Sequence, residues 1–190
     1  MYNNERKSQI ITIPNLLSLF RLLLIPVYMI LYLKAQEPQQ FYTAGTILAI
    51  SCLTDLIDGK IARHFHMVSI VGKILDPLAD KITQFTLILC LALKHPVLNP
   101  VLAIFTVKEV LQLALGIFFL QQKKILPGAL FAGKICTAVL FISMTALVFF
   151  PNAPGNTVKF IAISDALFLT ISLLCYYLAY FGKHRKIQDI

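Results

Sequence analysis

Charge is scarce in this chain: 14% of its 190 residues are Asp, Glu, Lys or Arg, while 58% are hydrophobic. A soluble domain of this length is about a quarter charged and about half apolar. A single soluble core cannot hide so much hydrocarbon, because small domains leave much of their surface in water. Bilayer is therefore the expected solvent. Glycine and proline are also few, at 8 and 9, and no low-complexity tract occurs, which excludes a disordered chain. Cysteine is limited to Cys52, Cys90, Cys136 and Cys175, far apart in apolar runs and without a C-x-x-C pair. That argues against a disulfide framework or a zinc site and leaves ordinary buried thiols. A cleavable signal peptide is not expected, since Arg6 and Lys7 precede an apolar run too long for one and no small-residue cleavage site follows.

What is present is a series of apolar runs, each near the roughly 20 residues that a helix needs to cross the hydrocarbon. Six spans are expected, over 13–33, 41–58, 75–93, 97–120, 128–150 and 158–181. Short links with turn-forming residues separate them: Glu37-Pro38, Pro96, Pro100, Pro127-Gly128 and the stretch Pro151 to Asn156. Neither an internal repeat nor a separate soluble domain is visible, so 1–190 reads as one all-α membrane bundle.

Orientation follows from the positive charges flanking the spans. Ten Lys and Arg fall on one side: Arg6, Lys7, Lys60, Arg63, Lys73, Lys123, Lys124, Lys183, Arg185 and Lys186. Three fall on the other: Lys34, Lys94 and Lys159. Both termini are expected in the cytoplasm. The net charge of +8 then points to anionic headgroups or an anionic substrate rather than to nucleic acid.

Four cations, Arg21, Lys81, Lys108 and Lys134, lie inside the spans. Ionisable groups there normally face a wet cavity, a partner or a substrate. For Lys81 and Lys134 the competing account is snorkelling to the nearer interface. Lys108 is followed by Glu109, so charge compensation across neighbouring helices accounts for it equally well. Asp165 has no partner evident in the sequence. His64 and His66 are two apart in a link, without a Cys or third His, and read as exposed link residues.

The informative segment runs from Asp55 to Asp80. Asp55 and Asp58 are three apart and Asp76 and Asp80 four apart, so on helices each pair shares a face. The second span enters the link that the third leaves, which places both pairs near one membrane surface. Four carboxylates together repel strongly at low dielectric and need cations. Without His or Cys nearby, hard Mg²⁺ or Mn²⁺ suits such a cluster, and two ions form the clamp used for displacement at phosphorus. Gly59 and Ala62 each follow an aspartate by four and keep that face open. Arg63 can hold a phosphate oxygen bidentately. A divalent-cation transporter is the alternative reading of the aspartates, although such a path gains nothing from Arg63 beside its ligands.

The segment resembles the signature of the CDP-alcohol phosphotransferase family, D-x-x-D-G-x-x-A-R, then eight or nine residues, then G-x-x-x-D-x-x-x-D. Asp55, Asp58, Gly59, Ala62, Arg63, Gly72, Asp76 and Asp80 meet every fixed position. The stretches Ile13-Pro14-Asn15-Leu16-Leu17-Ser18-Leu19-Phe20-Arg21 and Asp76-Pro77-Leu78-Ala79-Asp80-Lys81 are similar to the branch using CDP-diacylglycerol, the phosphatidylglycerophosphate and cardiolipin synthases. The resemblance implies that Asp55, Asp58 and Asp76 hold two divalent ions against the donor pyrophosphate. Asp80 would complete the cluster and act as general base. Gly59, Ala62, Arg63 and Gly72, with Asp55, would cradle the CDP moiety. It also implies a homodimer.

The acceptor implied first is glycerol 3-phosphate, with Arg21, Lys108 and Lys134 as the cations to receive it. Phosphatidylglycerophosphate synthases usually carry Arg-Glu in the fourth span, a second Arg about two turns on, and G-K-x-K-T in the fifth. Here Lys108-Glu109, Gly116 and Gly133-Lys134-Ile135-Cys136-Thr137 stand in those places. Those departures leave phosphatidylglycerol, with cardiolipin as product, as the alternative.

Overall fold

Six α-helices make up nearly all of the computed structural model, which describes residues 13–64, 70–121, 124–125, 131–181 and 188–189. They are α1 (Ile13–Lys34), α2 (Pro38–His64), α3 (Ile70–Lys94), α4 (Asn99–Gln121), α5 (Phe131–Phe149) and α6 (Gly155–Phe181). A 3-10 turn, Pro96–Leu98, precedes α4. Two-residue strands β1 (Lys124–Ile125) and β2 (Gln188–Asp189) form one antiparallel pair, with Lys124 opposite Asp189. The class is all-α, as expected. In hydrocarbon a helix satisfies every backbone group within its own segment, which is why long apolar runs take this form.

Local chemistry sets the helix ends. Pro38 opens α2, and Gln40 Oε1 accepts hydrogen bonds from the amides of Gln36 at 2.7 Å and Glu37 at 3.4 Å. A glutamine in the first turn thus reaches back to satisfy donors left free by the helix start. At α6 the Pro154 carbonyl accepts from Thr157 and Val158 at 2.8 and 3.1 Å, so the helix begins at Gly155 rather than near 158. The largest departure from expectation is at α2, which continues to His64 instead of ending near 58. Charge does not end a helix: Lys60, Ile61, Ala62 and Arg63 include good helix formers and no proline. At 27 residues α2 is about 40 Å long, more than the roughly 30 Å of hydrocarbon. His64 is therefore the last helical residue rather than a link residue, and His66 lies outside the described residues.

The chain divides into two compact units, 1–90 with 148–152 and 91–147 with 153–190. In the first, α1 packs against α2. One stripe of α1 is buried: Asn15, Ser18, Arg21, Ile25, Tyr28 and Tyr32, at the spacing of a single helix face. Its far end is aromatic, with the rings of Tyr28 and Tyr32 5.7 Å apart and Phe41 edge-on to Tyr32 at 5.3 Å. A Cβ on Gly45 would stand 2.9 Å from the Phe149 ring, so only glycine admits that approach. The second unit packs α4 against α6. It buries Val158, Ala162, Asp165, Leu169, Ser172 and Tyr176 along one face of α6.

Polarity is inverted relative to a soluble protein. The buried stripe of α1 starts Asn, Ser, Arg, whereas Leu16, Leu19, Leu23, Val27 and Ile30 face outward. On α6 the outward stripe is Phe160, Ile163, Leu167, Ile171, Leu174 and Leu178. Contiguous apolar surface of this extent calls for lipid or a partner. Among the described residues, Asn15–Lys34, Pro96–Phe118 and Gly155–Leu178 are long and apolar enough to cross a bilayer. The apolar part of α5 is shorter, Ile135–Phe149, while α2 and α3 carry Asp55, Asp58, Asp76 and Asp80 together with Lys60, Arg63, Lys73 and Lys81. The cysteines are free thiols. Cys90 and Cys136 are buried as expected, but Cys52 and Cys175 are half-exposed, because a thiol is apolar enough to stand on an outward face.

Candidate active site

Asp76 and Asp80 lie one turn apart on α3, both half-buried, with Ala79 fully buried between them and Gly72 buried one turn earlier. Their first partners come from α1. Ser18 Oγ donates a hydrogen bond to Asp76 Oδ1, and Arg21 Nη1 forms an ion pair with Asp80 Oδ1. The spacing explains the pairing. Ser18 and Arg21 are three apart on one face of α1, and Asp76 and Asp80 are four apart on one face of α3. Two hydrogen-bonding rungs therefore form between the helices. The Arg21 side chain is 2% exposed and that of Asp80 45%, so the ion pair is anchored from the buried side and open on the carboxylate side.

Asp55 and Asp58 are on the same helix, α2, with Gly59, Ala62 and Arg63. The side chains at 55–64 lie outside the described residues, so their approach to Asp76 and Asp80 is not described. Among the described residues no group of three or more His, Cys, Asp or Glu could hold a metal ion. The donor chemistry nevertheless suits one: Asp76 and Asp80 offer partly accessible carboxylate oxygens one turn apart, and hard divalent ions take oxygen ligands of this kind.

Ser18 stands in the α1 stretch that resembles the family, but the resemblance assigns it no role. The available signal was the period of its neighbours: Asn15, Ser18 and Arg21 are polar residues on one face of an apolar helix. Arg21 was expected at the acceptor and is found on Asp80. Lys108 is buried on α4, where Nζ lies 2.8 Å from Glu109 Oε1 of the same helix, so its compensation is local rather than from a neighbouring helix. The Lys134 side chain lies outside the described residues. Asp165 does have a partner: Ser143 Oγ of α5 donates to its Oδ2 at 2.6 Å. Lys108, Cys136 and Asp165 are all buried and all belong to the second unit.

Residues 11–174 match the family model for CDP-alcohol phosphatidyltransferase. The chain belongs to this family. It is thus a phosphatidyltransferase and a membrane protein, and the transporter reading gives way. A CDP-diacylglycerol–glycerol-3-phosphate 3-phosphatidyltransferase of Aquifex aeolicus is 36% identical over 136 residues, covering 71% of this chain and 73% of that protein. A probable phosphatidylglycerophosphate synthase of Mycobacterium tuberculosis is 25% identical over 189 residues, covering 97% and 86%. A CMP-forming cardiolipin synthase of Streptomyces coelicolor is 40% identical over 76 residues, covering 39% and 35%. The phosphatidyltransferase signature spans α2 and α3, the helices richest in charge.

Proposed function

We propose that this phosphatidyltransferase transfers a phosphatidyl group from CDP-diacylglycerol to glycerol 3-phosphate, releasing CMP and forming phosphatidylglycerophosphate. The observation that carries the reading is the complete signature from Asp55 to Asp80 in a chain 36% identical to a relative named for that reaction. Asp55, Asp58, Asp76 and Asp80 would hold two Mg²⁺ or Mn²⁺ ions. When bound, such ions neutralise charge developing on a pyrophosphate and aid departure of its leaving group. Gly59, Ala62 and Gly72 leave room for the nucleotide against the helix backbone, and Arg63 supplies a bidentate donor for its phosphate.

The acceptor hydroxyl attacks the phosphorus that carries diacylglycerol, its proton passes to Asp80, and the bond to CMP breaks. Arg21 fixes the Asp80 carboxylate from behind, and Ser18 fixes Asp76. A base held in one orientation keeps its lone pair on the incoming hydroxyl, and positioned general bases contribute about 10²–10⁴-fold. In this reading all six helices cross the bilayer, with both termini and the aspartates at the cytoplasmic surface, and the enzyme works as a homodimer. The distribution of Lys and Arg supports the orientation.

A second reading takes phosphatidylglycerol as acceptor and cardiolipin as product. Gly116, in the place where synthases of the first kind usually have an arginine, favours it, and so does the likeness to the Streptomyces coelicolor enzyme. Membranes containing the chain, supplied with CDP-diacylglycerol, divalent metal and each alcohol in turn, decide the matter by CMP release and identification of the lipid product. Phosphatidylglycerophosphate from glycerol 3-phosphate is the expected result. Cardiolipin from phosphatidylglycerol alone selects the second reading, and no CMP release with any alcohol overturns both.

A further inference from the structure

One turn along each helix from the aspartate site, the first unit contains a small cavity of about 10 Å³, lined by Ile25 and Tyr28 of α1, Leu48 and Ser51 of α2, and Thr83 and Thr86 of α3. Ile25 follows Arg21 by four, Ser51 precedes Asp55 by four, and Thr83 follows Asp80 by three. The cavity is thus the next layer of the three helices that carry the proposed site.

Its walls contain an anomaly. Tyr28 and Ser51 are each 3% exposed, and neither Tyr28 Oη nor Ser51 Oγ has a hydrogen-bond partner in the protein. A buried hydroxyl with nothing to bond loses the hydration it had in water, and most buried polar groups are satisfied by protein or ordered water. The two residues that carry these hydroxyls line one cavity. The Thr83 hydroxyl donates to the Ala79 carbonyl at 2.8 Å, so its oxygen keeps lone pairs to accept another bond. Thr86 adds a further buried hydroxyl to the wall. A bound water needs roughly 10–15 Å³ of free space and two to four polar partners. The volume reaches the lower end of that range, and four hydroxyl-bearing residues line the space.

We infer that this cavity is a binding site for one structural water, which bridges Tyr28 Oη and Ser51 Oγ and donates to Thr83 Oγ1. The bridge ties α1, α2 and α3 together one turn from the Arg21–Asp80 ion pair. An ordered water with three partners is enthalpically close to direct hydrogen bonds. It supplies a polar link between helices without the bulk of another side chain. A larger ligand does not fit the volume, and an apolar one would leave both hydroxyls unsatisfied.

The test is a double-substitution cycle on the full chain in detergent, with thermal unfolding as readout. Tyr28→Phe and Ser51→Ala each remove one hydroxyl without adding bulk. If a water joins them, either substitution releases it and orphans the other hydroxyl. Each single variant then unfolds about 2–4 °C lower, for a loss near 1 kcal/mol, and the double variant falls no further than the worse single. Unbonded hydroxyls behave oppositely, since removing one relieves its burial. Single variants that match or exceed the parent in Tm overturn the inference, and so do strictly additive losses. An experimental structure that resolves ordered solvent gives the direct readout. Density within hydrogen-bonding distance of both hydroxyls is expected, and a dry cavity overturns the site.

Discussion

Arg21 of α1 is ion-paired with Asp80 of α3, 59 positions away in the chain, and the arginine is almost wholly buried while the carboxylate is not. A buried guanidinium without a counter-charge is expensive, so the pair fixes where α3 sits on α1. In the proposed reaction the same pair sets the orientation of the base.

Arg21→Ala is therefore expected to act on turnover. In the proposed reaction donor binding rests on the other aspartates and Arg63, so KM for CDP-diacylglycerol should stay within about threefold while kcat falls roughly 10–100-fold, part of the 10²–10⁴ ascribed to a positioned base. Arg21→Lys should recover only some of this, because an ammonium lacks the planar fork. Steady-state kinetics in both substrates checks it. A raised KM for the acceptor at unchanged kcat would place Arg21 on the acceptor instead.

In the proposed reaction the bond from Ser18 to Asp76 concerns the metals. Partners that orient a ligating carboxylate are worth about 10–100-fold in metal affinity. Ser18→Ala should raise the Mn²⁺ concentration for half-maximal activity by about tenfold or more, and Ser18→Thr, which keeps the hydroxyl, should not. Asp76→Asn should lose several powers of ten in turnover at any metal concentration, as removal of a direct ligand does. A metal titration of the three variants separates these outcomes. If Ser18→Ala and the parent titrate alike, the hydrogen bond does not serve the metal.

Helix existence was legible because apolar runs of span length have one solution in lipid. The aspartate pairs were legible because three- and four-residue spacings share a helix face whatever the fold. The extent of α2 was not, since Asp58, Lys60 and Arg63 read as leaving the membrane while the backbone stays helical to His64. Pairings across helices were hidden for another reason. Ser18 with Asp76, Arg21 with Asp80 and Ser143 with Asp165 are set by which faces pack together, and no local pattern encodes that. Lys108 and Glu109 were expected to find compensation across neighbouring helices, whereas they pair with each other along α4.

Gly133 offers a test of packing apart from chemistry. A Cβ built there would lie 2.5 Å from Tyr176 Oη and 2.9 Å from its ring. Gly133→Ala should therefore destabilise by about 1–3 kcal/mol, the range for overpacking a filled core. Thermal unfolding of the purified variant checks this. An unchanged Tm would mean that the end of the Tyr176 side chain swings aside.

Lys134 bears on the identity of the acceptor. Glycerol 3-phosphate carries a phosphate dianion, whereas phosphatidylglycerol carries a single phosphodiester charge and is delivered from the bilayer. A cation in an apolar helix gains most from the more highly charged partner. If glycerol 3-phosphate is the acceptor, Lys134→Ala should raise its KM by about tenfold or more, the loss of one charge-assisted hydrogen bond worth roughly 1.5–3 kcal/mol. KM for CDP-diacylglycerol should move far less. Lys134→Arg should be milder, since charge is kept although the wider guanidinium fits differently. Kinetics at fixed donor and varied acceptor reads the difference. Equal effects on both KM values would assign Lys134 to the donor or to the fold, and indifference to Lys134 in an enzyme that makes cardiolipin would favour phosphatidylglycerol.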